Sequence, residues 1–203
     1  MNKKRIHLRY LWLWAALLIA PISTASLFAQ AEGPVSFGFS VMFGGRYDDL
    51  RMCVATPAGV KGGMMADIAF NTRFNITDTF AINVTLPVMR PILFALAFQM
   101  LQFEPVITCE LRHFCGDDLV LVGGFGLGAS FHYGPDFRSD LENRGESFFA
   151  MGPHISGLFG IGFPGIAGKE TILGARTFYV PLFSAGRGPG TVLGGALEAQ
   201  MFF

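Results

Sequence analysis

A histidine and a serine two residues apart, His154 and Ser156, share one face wherever the chain is extended, and a His–Ser pair is the minimum for activating a hydroxyl nucleophile. A working pair also needs a third group to orient the imidazole. The nearest downstream carboxylate, Glu170, falls near the opposite end of its strand. Ser130, His132 and Asp136 make a second, looser set at the end of another segment. Neither set is complete, so the chain is not read as an enzyme and no catalytic residue is assigned. Cys53, Cys109 and Cys115 are odd in number and lack histidines at ligand spacing, so no metal and no cofactor is expected. Cys109 and Cys115 flank a short turn and could pair, which would leave Cys53 free.

Charged residues embedded in apolar segments are the more informative group: Asp67, Arg73, Glu104, Glu110, Arg112, Arg176 and Glu198. Only 15% of the chain is charged and 51% is hydrophobic, against roughly 25% charged in ordinary soluble domains. Scattered charges in such a chain must be gathered somewhere they can meet one another.

The elements that would gather them alternate with a period of two. In the segment 34–43, Val35, Phe37, Phe39, Val41 and Phe43 share one face, and Ser36, Gly38, Ser40 and Met42 share the other. Further segments at 64–76, 80–89, 99–112, 119–133, 147–162, 169–182 and 191–203 give about eight strands. Strands of about 10–14 residues suit a tilted membrane crossing rather than a globular sheet. The connections differ in length. Residues 44–63 and 134–146 make long loops, whereas 77–79, 113–118 and 163–168 make short turns, as in transmembrane barrels. The fold expected is an all-β, antiparallel up-and-down barrel that closes on itself and leaves no unpaired edge in lipid.

The N-terminus fits export. Lys3, Lys4, Arg5 and Arg9 precede an apolar run from Tyr10 to Ala20, too short to span a bilayer as a helix, and Ala29-Gln30-Ala31 offers small residues for cleavage. The expected division is a cleaved signal peptide over 1–31 and a barrel over 32–203. Without the signal the chain carries 11 Lys and Arg against 15 Asp and Glu, with no basic stripe for nucleic acid.

With the signal, the alternation and the ending Leu197-Glu198-Ala199-Gln200-Met201-Phe202-Phe203 in view, the chain resembles the small bacterial outer-membrane barrels of the OmpA, OmpX and OmpW type. That resemblance implies outer-membrane localisation, contact with outer-membrane lipid, a monomeric barrel, and Met201 and Phe203 as part of the signal read by the barrel-assembly machinery. The His154-x-Ser156 spacing is also similar to the His-x-Ser of lipid A deacylase barrels. Gly157 stands where that family has Asn, and the pair points to the lumen.

Inside an eight-strand barrel there is room for little more than side chains. Asp67, Arg73, Glu104, Arg176 and Glu198 are expected to form a luminal charge network, with Arg176 and Glu198 nearly opposite on neighbouring strands. This network serves either as a plug or as a gate that exchanges partners. If the fourth strand continues upward in phase, Ile92, Phe94, Leu96 and Phe98 face inward and make an apolar mouth. Pro87 and Pro105 lie at similar heights below it and cannot donate to a ladder, so the wall there is weak and could release a small hydrophobic solute sideways, a route that resembles the lateral-diffusion idea for OmpW-like channels. The function expected is a small channel or permeation protein, with small hydrophobic solutes as its cargo. The alternative is a structural or adhesive surface barrel that works through its loops, where Arg46, Tyr47, Asp48, Asp49, Arg51 and Lys61 lie.

Overall fold

The computed structural model describes residues 34–49, 60–96, 100–115, 119–136, 145–164, 170–186 and 188–203. The signal segment, Cys53, Phe98 and the middles of both long loops lie outside the described residues. In chain order the elements are β1 (Val35–Asp48), β2 (Gly62–Thr77), β3 (Phe80–Pro87), α1 (Met89–Ala95), β4 (Leu101–Phe103), β5 (Val106–Phe114), β6 (Val120–Asp136), β7 (Gly145–Pro164), β8 (Glu170–Leu182) and β9 (Gly190–Phe202).

The strands form one closed antiparallel ring. The ladder between β1 and β9 runs from Gly38 opposite Phe202 to Asp48 opposite Val192 and seals it. β4 and β5 share one place in the ring, interrupted at Glu104 and Pro105, so the ring has eight strand positions. Both ends of the barrel chain, Val35 and Phe202, lie at the same end, which is the inner, periplasmic end of such barrels.

Alternation decides which side chain meets lipid. Phe37, Val41, Phe43, Phe125, Leu127, Phe159 and Leu197 are exposed on the outside, while Arg46, Asp48, Asp67, Arg73, Glu110, Arg112, Arg176 and Glu198 share the inward parity. Outward aromatic residues mark both rims, with Tyr47, Tyr133, Phe149 and Phe183 at the outer end and Phe74 and Phe203 at the inner end. Such girdles flank the apolar band of barrels that cross a membrane. Among the described residues no helix is long and apolar enough to cross a membrane.

Several boundaries differ from expectation. β1 continues past Gly44-Gly45, which look like a turn, as far as Asp48. A Cβ on Gly44 would overlap the backbone of β9 at Gly195 and Ala196, so this glycine serves close strand approach. The third strand ends at Pro87, and the apolar stretch after it is helix α1, not an upward continuation of a strand. Pro91 falls in the first helical turn, where its missing N–H has no partner to lose, and the Leu, Phe and Ala that follow tolerate a helix. Cys109 faces lipid from β5 and Cys115 lies beyond its inner end. Both are free, so the pairing of these two is not formed.

Candidate functional site

The lumen is filled in layers. In the outer layer Glu104, at the break between β4 and β5, is a hub. Arg46 from β1 donates to it through Nη1 to Oε2 and Nη2 to Oε1, both at 3.0 Å. Arg90 from α1 donates to Oε2 at 2.8 Å, and Ser130 from β6 to Oε1 at 2.9 Å. His132 Nε2 lies 3.2 Å from Oε1. Arg90 also pairs through Nε with Asp67 on β2 at 3.1 Å, and Arg46 Nε lies 3.7 Å from Asp48. All of these side chains are buried. Two guanidinium groups on one carboxylate, with two further carboxylates behind them, neutralise a charge cluster that would otherwise be too costly to desolvate.

An apolar cluster shares the outer lumen with this hub, and the Arg46 guanidinium lies 5.7 Å from the ring centroid of Phe178. Met65, Met100, Ala150, Val180, Leu182 and Val192 pack there with Phe178 and Ala196.

At mid-depth Arg176 on β8 is clamped to Glu198 on β9, Nε to Oε2 at 2.6 Å and Nη2 to Oε1 at 3.3 Å. The residue directly across from Arg176 is Ala196, and Glu198 lies opposite Gly174. The pair, expected to lie nearly opposite, is therefore diagonal, and the long guanidinium stem covers the offset. Arg176 Nη1 also donates to Ser156 at 3.3 Å and Thr108 at 3.4 Å, and Gln200 donates to Glu198 at 3.0 Å. Nearer the inner end Asn83 donates to Glu110 at 2.9 Å. In the innermost layer Arg73 and Arg112 both pair with Glu170, and the Arg73 guanidinium lies 3.8 Å from the ring centroid of Phe202. Val120, Val122, Leu158 and Ile172 close the gaps around that ring.

Between the outer and middle layers is a cavity of about 40 Å³, walled mainly by Met42, Met65, Val106, Phe178 and Ala196, with Pro87 on its edge. His154 lines it as well, stacked on Phe178 with 5.7 Å between ring centroids.

The structure thus brings Asp67 and Glu104 together through Arg90, joins Arg176 to Glu198, and places Arg73 in a separate inner layer. The expected apolar mouth is not formed. On α1, Ile92 is 55% exposed and Leu96, at its C-cap, 70%, both turned away from the lumen, and Phe94 packs edge-on against Tyr133 at 6.1 Å. The helical period, not the strand period, governs these side chains, and it turns Arg90 inward instead. Pro87 faces the lumen and Pro105 faces out, at neighbouring heights, respectively two residues and one residue beyond the last β3–β5 pair.

The nucleophile sets fare differently. His154 and Ser156 both face the lumen, but neither ring nitrogen of His154 has a partner and the Ser156 hydroxyl accepts from Arg176, so no activated pair exists. Ser130 and His132 are committed to Glu104. The side chain of Asp136 lies outside the described residues. Arg46 and Asp48, expected in a surface loop, are luminal, and Arg90 is a further buried charge that no strand periodicity marks. Parity held the signal for the first two, since both continue the Ser40, Met42 register.

A closed antiparallel ring, apolar outside, girdled by aromatic residues and charged within, defines a small outer-membrane β-barrel. Among solved structures, neisserial surface protein A superposes with a TM-score of 0.53 at 14% identity, over 84% of this chain and 98% of that one. The N-terminal β-barrel domain of Pseudomonas aeruginosa OprF and the attachment invasion locus protein Ail of Yersinia pestis both give TM-scores of 0.41. Their identities are 10% and 12%, over 82% and 84% of this chain and 97% and 100% of theirs. The likeness to surface protein A is one of fold. No protein-family model and no curated protein sequence matches the chain.

Proposed function

We propose that this barrel is a permeation protein that passes small apolar solutes sideways, through the seam between β3 and β4, into the membrane. The observation that carries the reading is the break in the ladder. β3 and β5 pair from Phe80–Leu111 to Thr85–Val106, and above that β4 bonds to β6 alone while α1 occupies the gap. Pro87 and Pro105 flank the break; Pro87 has no N–H to offer toward β5, and the Pro105 carbonyl faces β6, where it accepts from Ala129.

The cavity meets this seam from within, through Pro87, Arg90, Glu104 and Val106. From outside, α1 and its C-cap present Ile92 and Leu96 to lipid. Access from the outer face runs past the apolar cluster of the upper lumen. An axial route would have to open the middle and inner ion-pair layers, each ~3–5 kcal/mol if one partner is stripped away. The sideways route avoids both.

The test uses refolded barrel in liposomes and uptake of an apolar dye. In a background with Cys53, Cys109 and Cys115 changed to Ser, Leu86→Cys with Pro105→Cys places two thiols across the seam. Uptake should stop on oxidation and return on reduction. Uptake that ignores the cross-link, or that never exceeds protein-free liposomes, removes the reading.

A further inference from the structure

The wall of the cavity singles out one side chain. His154 is 5% exposed, and neither Nδ1 nor Nε2 has a hydrogen-bond partner. A neutral imidazole carries one donor and one acceptor, so a buried ring left like this is poised for a polar guest. Every other polar side chain on the wall is already engaged. Asp67 and Glu104 hold Arg90, Thr85 donates to Asn71 at 2.9 Å, and Arg176 holds Glu198, Ser156 and Thr108. The remaining lining is apolar.

We infer that His154 is the polar anchor of a binding site for a small uncharged molecule with an apolar body and one hydrogen-bonding group, the chemistry of a phenol or a short alcohol. The inference names the solute class and draws its biological use from the permeation reading, but the binding step itself does not require the seam to open. An ion entering the cavity would find every opposite charge committed to an existing pair. A pure hydrocarbon would leave the imidazole unsatisfied. A molecule with one hydroxyl meets both demands.

Size is met by yielding side chains. A cavity of about 40 Å³ has room for only one or two waters at rest. Met42 and Met65 bound it, and unbranched thioether chains repack around a guest more readily than branched ones. The guest would displace water from His154 and push the methionines aside.

The experiment titrates refolded barrel in detergent micelles with phenol, toluene and benzoate. It follows the 15N resonances of the His154 ring and the 13C-methyl resonances of Met42 and Met65. Phenol should shift both sets saturably and bind ~3–10-fold tighter than toluene, the increment of one neutral hydrogen bond. Benzoate should shift neither. His154→Leu should abolish the preference for phenol over toluene, read at the methionine methyls, and His154→Gln, which keeps a donor and an acceptor, should retain it. Equal binding of phenol and toluene, or a preference that survives in His154→Leu, overturns the assignment. The wild-type ring resonances decide the matter alone if the leucine variant does not refold. Failure of the seam reading shows up separately, as dye uptake indifferent to the Leu86–Pro105 cross-link while the phenol preference stands.

Discussion

Arg90 spans the gap that α1 fills: its Nη1 donates to Glu104 at 2.8 Å while its Nε faces Asp67 at 3.1 Å. Asp67 belongs to β2 and Glu104 to the β4–β5 break, so a single side chain on α1 ties the helix across the place where the ladder fails. The helix has no side-chain N-cap and spans only 7 residues, too short to persist without tertiary contacts.

Removing that tie should release the helix and little else. Arg90→Met keeps the apolar stem and discards the charge. Amide exchange over residues 89–95 should rise by at least tenfold, with β1, β8 and β9 unchanged. Exchange that accelerates evenly around the whole barrel would mean Arg90 supports the ring and not the helix.

Glu104 gathers two guanidiniums, an imidazole and a hydroxyl, so its loss and the loss of one donor should differ in scale. Glu104→Gln leaves Arg46 and Arg90 short of a carboxylate in a buried layer and should destabilise the barrel by ~3–5 kcal/mol in urea unfolding. Ser130→Ala removes one neutral donor to the same oxygen pair and should cost only ~0.5–1.5 kcal/mol. Similar losses for the two would contradict a hub centred on the carboxylate.

Much of this was legible in the residues, and the exceptions have physical causes. Period two located the ring because lipid outside and charge inside impose one rule on every strand, and Asp67, Arg73, Glu104, Arg176 and Glu198 all fall on the inner side. The rule fails where something other than the lipid boundary decides conformation. Ile92 to Leu96 is apolar at every position and carries no period of two, and Pro91 and the absence of a partner ladder leave that stretch to helical propensity. Gly44-Gly45 look like a loop, yet tight packing against β9 demands a missing Cβ at Gly44. The hub around Glu104 depends on contacts spanning 58 residues, from Arg46, and 26, from Ser130, which no local pattern announces. Met201 in the last pleat of β9 and Phe203 just beyond it face the lipid side, with Phe203 against Phe39 at 5.9 Å, and their part in barrel assembly is a matter for assembly assays.

The mid-depth clamp lends itself to a double-mutant cycle. Arg176→Met strands Glu198, and Glu198→Met strands Arg176, so each alone should cost ~3–5 kcal/mol. The double variant replaces both with apolar groups and should recover at least half of the summed loss, a coupling well above the scatter of independent sites. Simple additivity would show that the two side chains do not act as a pair.

The lipid-facing assignment makes the sharpest demand. Leu197 is 71% exposed, at mid-length of β9 between Phe43 and Ala175 on the neighbouring strands, and touches nothing charged. On a water-exposed surface Leu197→Arg would be nearly neutral, within ~0.5 kcal/mol. Against hydrocarbon it should cost ~2–4 kcal/mol when unfolding is measured in phospholipid bilayers, and the penalty should shrink to ~0–1 kcal/mol for Tyr47→Arg at the outer girdle. That depth dependence separates a membrane crossing from an apolar surface in water, because only a bilayer makes the middle of a strand more hostile to charge than its end.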